Sequence, residues 1–219
     1  EFRRVLFRSG AATLHLHPRA VEAKFSGSAP AAGTRRISVP YVEREGFRQP
    51  DRRVIASCEP HEVVPGLWVT GEIPRTNDYE DTGGPFFLDA ALQEPDPLLD
   101  DQALFFRARE GVVVVLGCAH AGVINTLVHV AALMGASGIH TVLGGMHLEN
   151  ASPRRMDETV AALRRWGVRR LVPVHCTGWA AIERFRREFP AQCDHAAAGM
   201  VFRFETTDGP ACICTAVTR

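Results

Sequence analysis

Apolar residues recur in three short runs in the second half of the chain, and each run ends at a histidine. The runs are rich in Val and Leu and span residues 111–120, 140–147 and 171–175. Such runs predict buried parallel strands. They lie roughly 27 residues apart, the length of a strand–helix–strand unit. The pattern therefore predicts an α/β sheet with His120, His147 and His175 at the carboxyl ends of three strands.

Three helices are predicted from apolar positions at helical spacing. The first covers residues 122–134. The second has Ser152 as its N-cap and Pro153 at its first position, and it ends at Gly167. The third covers residues 179–189. Its charged side is most simply a solvated helix face.

The part before residue 110 is irregular and rich in proline. Short alternating segments predict strands that form an antiparallel meander, and they lie at residues 13–17, 37–40, 54–57, 62–64 and 67–70. Residues 72–101 hold many Pro, Gly, Asp and Asn residues, which predicts a long loop that is either functional or a surface insertion. A final edge strand is predicted at residues 200–204.

Residues 1–10 fit neither a helix nor a strand that continues into the chain. Arginines alternate there with bulky apolar residues, without a cap or turn signal. We expect this segment to derive from a cloning or sequencing adaptor. Residues 11–219 are then expected to form a single incomplete domain.

Charge and cysteine content narrow the classes of function. The 25 basic and 25 acidic residues balance, which gives no electrostatic reason to expect nucleic acid or a membrane as partner. None of the six cysteines forms a C-x-x-C pair, so a reduced, cytoplasmic setting is expected. Cys212 and Cys214, separated by one residue, could bind a metal, but a single Cys-x-Cys pair is weak evidence for a metal site.

The three strand-end histidines predict a metal site. Neutral imidazoles suit zinc, iron and manganese. Glycines adjoin all three, at Gly117, Gly144–Gly145 and Gly178, and glycine lets the backbone approach a site closely.

Several motifs in this order resemble the metallo-β-lactamase fold superfamily, in particular its branch of dihydropterin–ribofuranosylaminobenzene phosphate synthases and metallo-hydrolases. The motifs are His17-Pro18, residues 71–75 with Tyr79-Glu80, residues 117–126, residues 144–148 and residues 175–178. The resemblance implies a four-layer αβ/βα sandwich with a dinuclear metal site at one edge. It also implies that the N-terminal part of this sandwich is missing.

In the superfamily, the first metal ligands come from a His-x-His-x-Asp-His motif, which this sequence does not contain. The resemblance assigns His120 to the first metal and His175 to the second. His147 stands where many members have a bridging aspartate, so its role as a direct ligand stays open.

The function implied is metal-dependent hydrolysis of an ester, phosphoester or amide, with two zinc ions and with iron or manganese as alternatives. A small, anionic substrate is expected, with Arg75 and Thr177 as candidate contacts. Alternatively, Arg75 pairs with a nearby acid and Thr177 caps a helix. Without the first motif, we expect this chain to bind metal weakly and to be inactive. An iron-based redox protein and a non-catalytic binding module are the alternative functions.

Overall fold

The computed structural model describes residues 13–27, 33–38 and 53–206, together with the backbone of residues 209–214. Two predictions concern atoms outside this part: the adaptor origin of residues 1–10 and the metal pair formed by the Cys212 and Cys214 side chains. Within the described residues, no helix is both long and apolar enough to cross a bilayer.

The N-terminal part consists of short strands. They are β1 (Leu14–Leu16), β2 (Phe25–Ser26), β3 (Arg35–Arg36) and β4 (Val54–Ala56). β1 pairs in parallel with β4, so the predicted antiparallel meander is wrong there. Of the strand predicted at residues 37–40, residues 37–38 lie outside any strand and follow β3, and residues 39–40 lie outside the described part. Strands of two or three residues bury few side chains, so tertiary contacts decide how they pair.

The main body is a six-stranded sheet. Its strands in chain order are β5 (His61–Val64), β6 (Leu67–Val69), β8 (Ala103–Ala108), β9 (Gly111–Leu116), β10 (Thr141–Gly145) and β11 (Arg170–Val174), while β7 (Phe86–Phe87) pairs with β2 outside it. The spatial order is β11-β10-β9-β8-β6-β5. β9, β10 and β11 run parallel, as the apolar runs predicted, and the other neighbours pair antiparallel.

Three helices follow the predicted pattern closely: α1 (Val123–Met134), α2 (Pro153–Arg165) and α3 (Trp179–Glu188). The Ser152 side chain accepts a hydrogen bond from the Arg155 amide at 3.1 Å, as expected of an N-cap. Gly135 adopts the left-handed conformation at the end of α1.

Both faces of the sheet are covered. Phe105 and Val114 pack with Leu127 of α1, Leu163 of α2 and Phe185 of α3 in one core, each at most 1% exposed. Successive strand residues point to opposite faces, so the adjacent Phe106 and Val113 enter a second core with residues of β12 (Val201–Thr206). β12 extends two residues beyond the final strand predicted at residues 200–204. It pairs antiparallel with a further strand, β13 (Gly209–Cys214), and the two form a hairpin.

A buried ion cluster joins β2 to the long loop. The Lys24 ammonium lies 2.7 Å from Asp96 Oδ2 and 2.5 Å from Asp100 Oδ1. The side chains of Lys24 and Asp96 are 8% and 0% exposed. Each charge therefore depends on the others for compensation.

Candidate metal centre

The parallel order of β9, β10 and β11 brings three histidines to one edge of the sheet. His120 follows β9 by four residues, His147 follows β10 by two, and His175 directly follows β11. Parallel strands present their carboxyl ends to the same crevice, as the sequence predicted.

The backbone is strained at this edge. Ala119, His147 and His175 have φ angles of 53°, 47° and 52°. Residues with a Cβ rarely adopt this left-handed region, and such conformations cluster at functional sites. The strain marks the same strand ends as the histidines do.

His120 and His147 are neighbours, with ring centroids 4.1 Å apart. Nδ1 of His120 lies 2.8 Å from the Thr82 carbonyl oxygen, and Nε2 of His147 lies 3.0 Å from that of Gly83. A ring N–H that donates to a carbonyl leaves the other ring nitrogen with a lone pair, which is the arrangement of metal-binding histidines. In His147 this other nitrogen, Nδ1, is buried and has no hydrogen-bond partner among the described residues.

A glycine in the long loop permits this contact. Gly83 has a φ of +77°, and a Cβ at this position would overlap the His147 ring. The loop carbonyls can therefore reach the imidazoles only because position 83 lacks a side chain.

His175 belongs to a different group. Its ring lies with the thiols of Cys118 and Cys176, and the three potential ligand atoms are all within 4.8 Å of one another. In the described part of the chain, no such group contains all three histidines. The three histidines thus share an edge of the sheet, but His175 is partnered by sulphur rather than by the other imidazoles.

Cys118 and Cys176 were not predicted to be site residues. They are far apart in the sequence, so no C-x-x-C spacing marks them. The sequence feature that could have identified them is their position beside the strand-end histidines. Cys118 lies two residues before His120, and Cys176 directly follows His175.

The two thiols and His147 shift one another's protonation. A hydrogen bond from Cys118, with the nearby His147, lowers the pKa of Cys176 to about 4. The same hydrogen bond, together with burial, raises the pKa of Cys118. Interaction with the Cys176 side chain raises the pKa of His147. Of the two thiols, Cys176 therefore loses its proton more readily, and thiolate is the form that binds metals.

A cavity of about 350 Å³ opens beside this edge. His147 and Cys176 line it together with the loop residues Asp81 to Gly84, Glu149, Asn150 and Arg155. The Arg155 side chain is 1% exposed and donates from Nη1 to Asp81 at 2.6 Å. Its Nε and Nη2 groups have no hydrogen-bond partner in the described structure.

The two predicted substrate contacts are engaged elsewhere. Arg75 donates from Nη2 to the carbonyl oxygens of Pro97 and His120, each at 2.9 Å. The Thr177 hydroxyl is fully buried, donates to the Val174 carbonyl at 2.7 Å and accepts from the Met146 amide at 3.1 Å. Arg75 thus fixes the backbone of His120, and Thr177 ties the end of β11 to the end of β10. Gly178, and not Thr177, is the N-cap of α3.

Part of the long loop is anchored on α1. The buried Glu80 carboxylate accepts hydrogen bonds from the amides of Ile124 and Asn125, each at 2.9 Å. The Asn125 side chain accepts in turn from the amide and hydroxyl of Thr76. These bonds satisfy the first turn of the helix and hold residues 76–80 next to the histidine edge.

A second cluster, formed by His17, Cys58 and Glu72, is less suited to a metal. The Arg19 amide donates to His17 Nδ1 at 3.2 Å, so Nδ1 carries the lone pair. The proton of a neutral ring is then on Nε2, which lies 3.8 Å from Glu72. His17 Nε2 is thus buried near the carboxylate without a hydrogen bond to it.

Known proteins support the same fold. The crystal structure of Tm1679, a metal-dependent hydrolase of the β-lactamase superfamily, matches with a TM-score of 0.75 and 27% identity. The match covers 89% of this chain and 72% of that one. The chain thus has a metallo-β-lactamase-like fold, as its motifs suggested.

Two curated relatives come from Methanocaldococcus jannaschii. One is a 7,8-dihydropterin-6-methyl-4-(β-D-ribofuranosyl)-aminobenzene-5'-phosphate synthase, 27% identical over 165 residues, which are 74% of this chain and 56% of the relative. The other is an uncharacterised protein, 28% identical over 157 residues, which are 70% of this chain and 56% of that protein. The chain thus spans about half the length of these relatives. No protein-family model matches the sequence.

Proposed function

We propose that this chain, which has the metallo-β-lactamase fold, is part of a metal-dependent hydrolase whose metal ligands include His120, His147 and His175. The observation that carries the proposal is that all three histidines lie at the carboxyl edge of the parallel strands, at or next to residues with positive φ. His147 and Cys176 line the same cavity, and the sulphur-rich surroundings of His175 fit a transition metal such as zinc.

A bound metal would supply Lewis acidity and an activated water for attack on an ester, phosphoester or amide. The protein's own residues orient the site. The carbonyls of Thr82 and Gly83 fix the two imidazole rings, and Arg75 holds the backbone of His120. The cavity beside His147 provides room for a small substrate.

An anionic substrate group is supported by Arg155 more than by Arg75. Arg155 lines the cavity and keeps two N–H groups without a partner, whereas Arg75 already donates to two carbonyls. A guanidinium with free N–H groups suits a carboxylate or phosphate. If Arg155 binds this group, the R155K variant should raise KM for anionic substrates more than R75K does.

The test of the proposed function is hydrolysis of nitrophenyl esters and phosphodiesters by the protein loaded with zinc, manganese or iron. The proposal predicts hydrolysis in this test, whereas the missing first motif led us to expect an inactive chain. H120A and H175A should each lower the rate by more than the roughly 10- to 100-fold typical of losing an outer-shell partner. H195A is the matched control, because His195 is exposed and contacts Arg186 away from this edge. Hydrolysis that is absent, or equal in all three variants, would contradict the proposal.

The relative's name offers a second candidate, the synthesis of a ribofuranosylaminobenzene 5'-phosphate adduct of a dihydropterin. The identity of 27% over 165 residues favours it. The new bond to the methyl carbon must displace a leaving group. Incubation with the ribofuranosylaminobenzene 5'-phosphate and a dihydropterin whose 6-methyl carbon carries a leaving group such as diphosphate, followed by mass spectrometry of the products, separates the synthase from the hydrolase.

A further inference from the structure

Cys118, His175 and Cys176 come together from two strand ends. Cys118 follows β9, whereas His175 and Cys176 follow β11, on the other side of β10. Their ligand atoms lie within 4.8 Å of one another, and both cysteines are free thiols.

The strand between them leaves room for these side chains. A Cβ on Gly145 of β10 would lie 2.9 Å from Cys176 Sγ and 3.2 Å from His175 Cδ2. The Gly145 amide donates to the Gly117 carbonyl at 3.1 Å, which fixes the backbone next to Cys118. A side chain at position 145 would displace the group, so the glycine is part of its architecture.

We propose that Cys118, His175 and Cys176 together bind one thiophilic divalent ion, zinc by preference, through two thiolates and one imidazole. Two sulphurs and one imidazole nitrogen select zinc over hard cations such as magnesium. The thiols release their protons to solvent as the ion binds. His175 is exposed, so the fourth position faces solvent, as in catalytic zinc sites with three protein ligands.

The inference deepens the proposed function and shares His175 with it. Weak metal binding was expected because only the histidines were considered as ligands and the first motif is absent. Two thiolates add ligands that do not depend on a His-x-His-x-Asp-His motif. We therefore expect this chain to bind one ion in its own right, whether or not it catalyses hydrolysis.

The experiment is titration of the metal-free chain with Co²⁺ in a non-thiol reductant, followed by absorption spectroscopy. One equivalent of Co²⁺ should produce a near-ultraviolet sulphur-to-cobalt charge-transfer band, and zinc should abolish it. C118S and C176S should each lose about half of this band and bind at least roughly 10-fold more weakly.

Two control variants test whether other cysteines are responsible. C193S should keep the full band, because Cys193 packs against the hydrophobic core. The double variant C212S/C214S tests the Cys-x-Cys pair and should also keep it. Circular dichroism checks that each variant folds.

Cobalt-edge X-ray absorption counts the sulphur ligands in the unmodified chain, where two are expected at about 2.3 Å.

Three results would overturn the inference: no binding of Co²⁺, binding without a sulphur band, and a band lost only in C212S/C214S. Binding through nitrogen and oxygen alone would leave the proposed function intact. Conversely, a two-sulphur site in a protein that hydrolyses none of the substrates would support the inference and count against the proposed function.

Discussion

At the scale of single residues, the site depends on how closely the loop backbone approaches the imidazoles. The Gly83 carbonyl oxygen is 3.0 Å from His147 Nε2, and position 83 has no space for a Cβ. Orientation of His147 is thus decided partly by a residue that contributes no side chain.

We expect G83A to be destabilised by more than backbone strain alone. Alanine at a positive φ costs about 1 kcal/mol or slightly more, and displacement of the His147 ring adds about 1–3 kcal/mol. G167A is the matched control, because Gly167 has a φ of +65° and no atom within 4 Å of an added Cβ. Urea unfolding measures both variants, and equal losses would show that no steric conflict exists at position 83.

The strand-end histidines could be predicted from the sequence because each closes a short, Val- and Leu-rich run that is typical of a buried strand. The thiols could not be grouped with His175 in the same way. Cys118 and Cys176 become neighbours only once β9, β10 and β11 lie side by side, and no local pattern encodes that distance.

At the scale of elements, the N-terminus of α1 depends on a carboxylate from the long loop. Gly122, at the N-cap, provides no side-chain hydrogen bond, and Glu80 accepts from two amides of the first turn. The helix and the loop segment that contacts the histidines therefore stabilise each other.

In E80Q, one carboxylate oxygen becomes an amide group that faces a backbone N–H, and the charge at the helix N-terminus is lost. We expect the free energy of unfolding to fall by about 1.5–3 kcal/mol. E110Q, in the exposed β8–β9 turn, should change it by less than about 0.5 kcal/mol. Thermal or urea unfolding tests this, and an unchanged E80Q would argue against the cap.

The helices were predicted well because their signals are local: Ser152 and Pro153 start α2, and Gly167 follows its end. The loop at residues 72–101 was predicted only as a loop. Its anchors, such as Glu80 on Ile124 and Asn125, join residues about 45 positions apart. The parallel pairing of β1 with β4 was missed for the same reason.

At the scale of the whole molecule, the Lys24–Asp96–Asp100 cluster fastens the N-terminal strands to the long loop. Removing the ammonium leaves two carboxylates, one of them fully buried, without compensation. We expect K24M to lose about 3–5 kcal/mol of stability.

The comparison variant is R109M, which breaks the exposed Arg109–Glu205 pair, whose side chains are 79% and 69% exposed. It should lose at most about 1 kcal/mol. Both values follow from denaturant unfolding. A K24M variant as stable as R109M would mean that the N-terminal strands contribute little to the cooperative unit.

Lys24 is also the only lysine in the sequence. While its ammonium lies between Asp96 and Asp100 at 8% exposure, an amine-reactive ester has no accessible side-chain target. Acylation of Lys24 requires this part of the molecule to open. Mass spectrometry of that one peptide would therefore report how often the N-terminal strands detach, without any label having to be introduced.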